Sequence, residues 1–321
     1  MRLRLVPDQT NWDFMKWRHY TFGASVVAMI ASLVIWLTVG LNFGIDFLGG
    51  TTIRTESDQA IVVADYRAAL TPLGLGDVVI TEVSDPTFRD DQNVAQIRIQ
   101  AQNGAEAVTP ETITAVETAL KAVDPSITFP SVESVGPKVS GELITTAFLA
   151  VGASLVAILF YIWLRFEWQF SVGAVGALFH DVILTVGVFS LLQIRFDLAT
   201  IAALLTIIGY SINDTVVTCD RLRENLIKFK KTPLIDVMNL SVNETLSRTL
   251  MTSGTTLIAL LALIVLGGDV IRGFVFAIFW GVVVGTYSSV YVAKNIVLML
   301  GLDRDPKKPS DAGTQFANID A

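Results

Sequence analysis

The residues best placed to do chemistry lie inside apolar runs. Asp214 sits in the second half of the run 198–218, with Asn213 beside it and Tyr210 and Ser211 one helical turn behind. A carboxylate in that setting must be paired, hydrated or protonated, because charge within hydrocarbon costs about 2.5–3.5 kcal/mol on insertion scales. Arg248 opens the run 250–267 and is predicted to lie on the same side of the membrane, within reach of Asp214. Two readings follow. The pair is a proton-switchable contact, bridged when Asp214 is charged and released when it is neutral, or it is a structural salt bridge in a polar funnel. His180 and Asp181 lie near the middle of the run 170–192. Adjacent helical residues point about 100° apart, so only one of the two is expected to face an interior seam. That residue serves either as a polar tether between helices or as a proton relay.

Other chemistries have little support. The chain of 321 residues has one cysteine, Cys219, and two histidines, His19 and His180, so neither a disulfide within the chain nor a histidine-rich or cysteine-rich metal site is expected. No phosphate-cradling glycine loop, HExxH or GxSxG occurs, and no cofactor is implied. The net charge of -7 speaks against nucleic acid as a partner. Hydrophobic residues make up 52% and charged residues 17%, against about 25% charged in a soluble domain.

The elements that must hold these residues are membrane helices. Six apolar stretches are long enough to cross about 30 Å of hydrocarbon at 1.5 Å per residue: Thr21–Gly40, Leu143–Leu164, Phe170–Leu192, Leu198–Thr218, Leu250–Gly267 and Gly273–Val292. The first reads as a retained anchor rather than a cleaved leader, since no small-residue cleavage site follows before Asn42. Lysine and arginine segregate. Arg2, Arg4, Lys16, Arg18, Arg165, Arg221, Arg223, Lys228, Lys230, Lys231, Arg248, Lys294, Arg304, Lys307 and Lys308 fall on one side, fifteen in all, against eight on the other. By the positive-inside rule both termini are cytoplasmic and the segment 41–142 lies outside, in the periplasm if the cell has one. The basic run Lys228, Lys230 and Lys231 fits this rule and contact with anionic headgroups. The predicted layout is a tail over 1–20, helix one over 21–40, an outer domain over 41–142, helices two to six over 143–292 and a tail over 293–321.

The outer segment is soluble and acidic, with 15 Asp and Glu against 6 Lys and Arg. Strands are predicted over Thr51–Thr55, Val78–Val83, Val94–Gln100 and Ile127–Val135, the second and third from apolar–polar alternation. Ser57 is expected to cap a helix over Ala60–Leu70, and Thr109-Pro110 to open one reaching Val123. The order β-α-β-β-α-β is that of a ferredoxin-like α+β domain. Gly281 and Gly285 form a small-xxx-small pair extended by Ser288 and Ser289, and Gly173 and Ala177 repeat the spacing, which predicts close helix packing. Gly44, Asp46, Gly49 and Gly50 lie in a glycine turn between helix one and the outer domain, and Arg165-Phe166-Glu167-Trp168 turns helix two into helix three.

Six strings carry a family resemblance: FGIDFLGGT (43–51), VGPKVSGEL (135–143, with Gly136 and Pro137), LRFEW (164–168), HDVILT (180–185), GYSINDTVVTCDRLREN (209–225) and SRTLMTSGTT (247–256). Together they resemble the SecF branch of the SecD/SecF family, membrane proteins of the bacterial Sec export machinery. The matches run from Phe43 to about Ser289, and no motif position departs. The single short outer domain points to SecF, since SecD carries a much larger one. The resemblance implies a six-helix protein with a ferredoxin-like outer domain. It implies pairing with SecD into a twelve-helix unit similar to RND transporters, which uses the proton motive force to draw preproteins outward through SecYEG, alongside SecA, with YajC as an associate. It implies proton-coupling roles for Asp214 and Arg248 and leaves His180 and Asp181 unassigned. Cys219 reads as a tolerated small residue. Two other classes remain distinct from this one: an RND-like exporter acting alone, and a structural chaperone of the translocase without proton flux.

Overall fold

Apolar length and capping residues dictate most of the architecture of the computed structural model, which describes residues 10–76, 78–83, 88, 89, 91–100 and 108–302, apart from the side chains at 137, 138, 269 and 270. Arg2, Arg4, Arg304, Lys307 and Lys308 of the predicted tails, and the Pro137 side chain, lie outside the described residues. The helices are α1 (Arg18–Val39), α2 (Ile45–Leu48), α3 (Val63–Leu70), α4 (Pro110–Val123), α5 (Pro137–Arg165), α6 (Trp168–Leu192), α7 (Leu198–Lys228), α8 (Leu234–Leu266), α9 (Gly268–Tyr291) and α10 (Ala293–Leu300). The strands are β1 (Asn42–Phe43), β2 (Gly50–Ser57), β3 (Val78–Val83), β4 (Asn93–Gln100), β5 (Thr128–Val135) and β6 (Arg195–Phe196).

Among the described residues, six helical spans are long and apolar enough to cross a membrane, as predicted, the last running through α9 and α10 from Ile271 to Leu300. Their ends differ from the hydropathy reading for a physical reason. Helix α7 starts where predicted because Asp197 and Thr200 form a capping box, but it continues ten residues past Thr218, to Lys228. Helix α8 begins at Leu234 rather than Leu250. These extensions are amphipathic. Leu222, Val237 and Met238 are buried between them while Arg221 pairs outward with Glu244 at 2.7 Å, and an apolar window cannot see such a helix. Helix α5 begins at Pro137, six residues before Leu143, because Gly136 and Pro137 supply an extended N-cap and a pre-set first helical residue.

The predicted tails are in part structured. Asn239 and Asn243, one turn apart on α8, hold the segment before α1: Asn243 Oδ1 accepts from Trp12 N at 2.9 Å, and Asn239 Oδ1 from Phe14 N at 2.9 Å. Lys294 is buried in α10 and is not a charge of a solvent-exposed tail.

The sheet runs β3-β4-β2-β5, antiparallel throughout, which is the ferredoxin-like order. Helices α3 and α4 cover one face over a core of Ile53, Tyr66, Leu70, Ile80, Ile97, Val116 and Leu120. Thr109 caps α4 as predicted, accepting from Thr112 N at 3.3 Å. The expectation for Ser57 fails. Ser57 ends β2 and its hydroxyl donates to Asp124, while α3 starts at Val63 without a side-chain cap.

The domain is tied to the bundle through the glycine motif. Strand β1 pairs in parallel with β6. Gly44 caps the short α2, and its N–H donates to Phe196 O at 2.8 Å. Asp46 Oδ2 accepts from Leu198 N, the first residue of α7, at 3.0 Å. Gly49 and Gly50 take φ of 70° and 129°, a left-handed turn that other residues resist, and β2 leaves from there. Arg98 of β4 closes the joint on the Phe43 carbonyl at 2.9 Å. A cavity of about 500 Å³ lies between sheet and bundle, lined by Arg54, Glu133, Arg195, Asp197 and Arg272 among others.

Candidate functional site in the helix bundle

Close packing of α7 on α9 creates the site. A Cβ on Gly281 would come within 2.3 Å of Ile207, and one on Gly285 within 3.1 Å of the Ser211 Cβ. The small-xxx-small pair therefore does what its spacing predicted: it lets α7 lie against α9. Gly173 does the same against the Ala293 carbonyl of α10, where a Cβ would reach 2.8 Å.

Two buried carboxylates occupy this seam. Asp214 is 4% exposed. Its only side-chain hydrogen bond among the described residues is a long one from Ser253 Oγ on α8, 3.5 Å, and Ser253 is held in turn by Thr286 of α9 at 2.8 Å. The expected bridge to Arg248 is not formed. Arg248 lies fourteen residues inside α8 rather than at its opening, and its side chain is exposed. It acts on Asp214 only through the field of its charge. The reason is geometric: Ser253, five residues further along α8, occupies the place facing Asp214.

The second carboxylate is Asp181 of α6, 1% exposed beside a fully buried His180. The expectation that only one of the two faces the interior fails. The His180 Nδ1 lies 2.9 Å from Asp181 Oδ1, and Asp181 Oδ2 accepts from Ser211 Oγ of α7 at 2.6 Å and Ser288 Oγ of α9 at 2.9 Å. The 100° between them is absorbed because α6 is surrounded: it packs against α1, α5, α7, α9 and α10. Ser211 therefore serves Asp181, not Asp214, although it lies one turn from the latter.

The remaining candidates separate into an outward face and structural positions. Tyr210 reaches Thr256 of α8 at 3.5 Å. Asn213, Thr252 and Thr255 are exposed, so α7 and α8 present a polar stripe on the outside of the bundle, with Arg248 on its edge. Arg165 ends α5 and pairs with Asp220 of α7 at 3.3 Å, and Glu167 occupies the N-cap position of α6. Gly136 caps α5. Cys219 is more than a small filler: the buried Lys294 donates to its sulfur at 3.1 Å. That contact, the Ser253–Thr286 pair and the asparagine clamp on the N-terminal segment were not foreseen. The four-residue spacing of Asn239 and Asn243 was the one available signal. No group of three or more metal-ligating side chains occurs among the described residues.

A family model described as "Protein export membrane protein SecD/SecF, C-terminal" matches residues 115–303, and a "SecD/SecF GG Motif" model matches residues 34–61. The chain belongs to the SecD/SecF family. The GG motif is the Gly49–Gly50 joint between helix α1 and the sheet. Among relatives, the "Protein translocase subunit SecF" of Cereibacter sphaeroides is 70% identical over all of this chain and 99% of its own length. That of Rhodobacter capsulatus is 65% identical over 99% of this chain and 97% of its own. A crystal structure described as "SecDF, a translocon-associated membrane protein" from Thermus thermophilus matches with a TM-score of 0.82 and 36% identity, over 92% of this chain. This chain spans 39% of that longer chain. The chain is thus a SecF-type multi-pass membrane protein of the translocase family, with the six helices and the sheet domain that its sequence implied.

Proposed function

We propose that this chain couples the proton motive force to preprotein export, working with SecD beside SecYEG and SecA in the bacterial inner membrane. Both termini face the cytoplasm and the sheet domain faces outward; the arginine and lysine distribution favours this orientation. YajC associates with the assembly. The carrying observation is Asp214: buried, at mid-helix, and met by one long hydroxyl contact instead of a salt bridge. A carboxylate so poorly compensated is readily neutralised by a proton.

The exposed Asn213 amide and the exposed charge of Arg248 on this face support a second helical half as its cover, since lipid offers those groups no partners. SecD supplies it. Protonation of Asp214 removes the attraction of Arg248 and frees α7 to shift against α8. Because Asp46 is fastened to the first residue of α7, and Gly49 and Gly50 form the hinge to β2, a shift of α7 reaches the sheet domain. The cavity between sheet and bundle gives that domain room to move. A proton crossing 100 mV supplies about 2.3 kcal/mol, so a few protons bias such a motion.

The test is export of a preprotein into inverted vesicles holding SecYEG, SecA and SecD, with wild type or Asp214→Asn, with and without a proton ionophore. The ionophore is expected to slow wild type to the mutant's rate and to leave the mutant unchanged. Equal slowing of both sinks the assignment.

A further inference from the structure

The bundle holds a second ionisable site that the role of Asp214 does not use. His180 and Asp181 are both sealed from solvent at the centre of α6. Asp181 receives two hydroxyl donors on Oδ2, from Ser211 and Ser288, and faces the His180 Nδ1 with Oδ1. Two hydroxyl donors on Oδ2 suit an ionised carboxylate, and with Asp181 ionised the contact on Oδ1 is made by a proton on His180 Nδ1.

The other ring nitrogen decides the charge of the pair. With Nε2 bare the pair holds one net negative charge. With Nε2 protonated it is an ion pair of net charge zero. Nε2 is buried and has no hydrogen-bond partner among the described residues. Other buried atoms share that condition, such as the Thr215 hydroxyl, but among the described residues only His180 Nε2 is an imidazole nitrogen.

The surroundings do not settle the matter with a fixed counter-charge. From α9, the Tyr287 ring stacks on the imidazole at 6.1 Å, with its hydroxyl committed to the Thr21 carbonyl and to Ser25 of α1. Tyr291 lies behind Tyr287. From α10, Lys294 is turned to Cys219, and from α7, Asp214 is turned to Ser253. Arg18 of α1, Glu142 and Arg165 of α5, and Arg272 of α9 sit near helix ends, Arg165 on Asp220. No described residue donates to Nε2 or accepts from it, so the contacts leave that nitrogen open to either state.

We propose that the His180–Asp181 pair is a second proton-binding site of the bundle, taking and releasing its proton at His180 Nε2 by way of a water molecule. The site sits where it bears on the same helices as Asp214. Asp181 holds α7 through Ser211, three residues before Asp214, and α9 through Ser288, two residues after the Thr286 that supports Ser253. The proposal deepens the reading of the chain as proton-coupled and rests on that reading only for the source of the proton.

The protein has two histidines, and the exposed His19 can be replaced. In full-length His19→Gln protein labelled with ¹⁵N-histidine and reconstituted with SecD in lipid vesicles, the ring nitrogen signals belong to His180 alone. The Nε2 signal is expected to pass from protonated to bare between about pH 5 and pH 8 while Nδ1 stays protonated throughout. In the further variant Asp181→Asn the change is expected at least about one pH unit lower, because the imidazolium has lost its counter-charge. An Nε2 signal that keeps one protonation state across the range overturns the proposal and leaves the pair a structural tether. So does a change in which Nδ1 rather than Nε2 loses the proton. The readout involves neither export nor a gradient, so it stands apart from the vesicle test of Asp214.

Discussion

Asp124 in the sheet domain and Asp214 in the bundle are equally hidden from solvent, each 4% exposed, yet they are held in opposite ways. Asp124 closes the turn after α4. It accepts from Ser126 N at 2.8 Å, from Ser126 Oγ at 2.7 Å and from the Ser57 hydroxyl across the sheet. Burial raises its carboxyl, but the hydrogen bonds from Ser126 and Ser57 outweigh that and hold it below the usual carboxylate range. Its charge, added to the effect of burial, pushes the Tyr66 phenol up. Asp214 has one donor at 3.5 Å. A carboxylate with its lone pairs filled is a structural part. One left nearly bare at the same solvent exposure, deep in the bundle, is kept at a cost to stability, and such a cost is expected where a group must change its charge.

The strongest way to break this contrast is Asp214→Asn, which is expected to abolish the ionophore-sensitive part of export while leaving the fold intact. The loss of one long contact costs under about 1 kcal/mol, so a thermal melt should barely move. Asp124→Ala should do the reverse. It strands the Ser57 and Ser126 donors and is expected to destabilise the sheet domain by about 2–3 kcal/mol, read as faster amide exchange in β2 and β5. Acid sharpens the same point. Because the folded carboxyl of Asp124 lies below its unfolded value, its contribution is complete above about pH 4 and fades as pH falls through the folded value. The wild-type sheet domain should therefore lose stability in that window, and an Asp124→Asn variant, already weakened, should lose less.

Gly281→Ala tests the packing that creates the bundle site. The new methyl meets three Ile207 carbons within 2.7 Å and is expected to cost about 1–3 kcal/mol, with α7 pushed from α9. The smallest expected effect is Ser253→Ala. It removes the single donor to Asp214, should change stability by less than about 1 kcal/mol, and should alter the rate of gradient-driven export measurably. An export rate identical to wild type would mean that the 3.5 Å contact does nothing.

Much of this was legible in the residues. The strand readings fell within about one residue of the sheet strands at most ends, and Thr109-Pro110 located the start of α4, because caps and pleats act over four residues or fewer. Asp214 stood out because an apolar run makes any carboxylate conspicuous. Ser57 was misread because a hydroxyl suited to an N-cap is equally suited to a carboxylate 67 residues away. The start of α8 was missed because charges on one face of an amphipathic helix lower its average hydropathy without unwinding it.

Six spans, a ferredoxin-like sheet, the glycine joint between them and the presence of unusual polar residues in the membrane all rest on local forces: apolar length, side-chain period and capping. The partners of those polar residues come from packing between distant segments. Arg248 was turned outward, Ser253 put in its place, Ser211 assigned to Asp181, and His180 drawn inside with its neighbour. Those outcomes depend on the rotation of four packed helices about their own axes. That rotation is set by where glycines such as Gly281 and Gly285 allow contact, and no single stretch of chain encodes it.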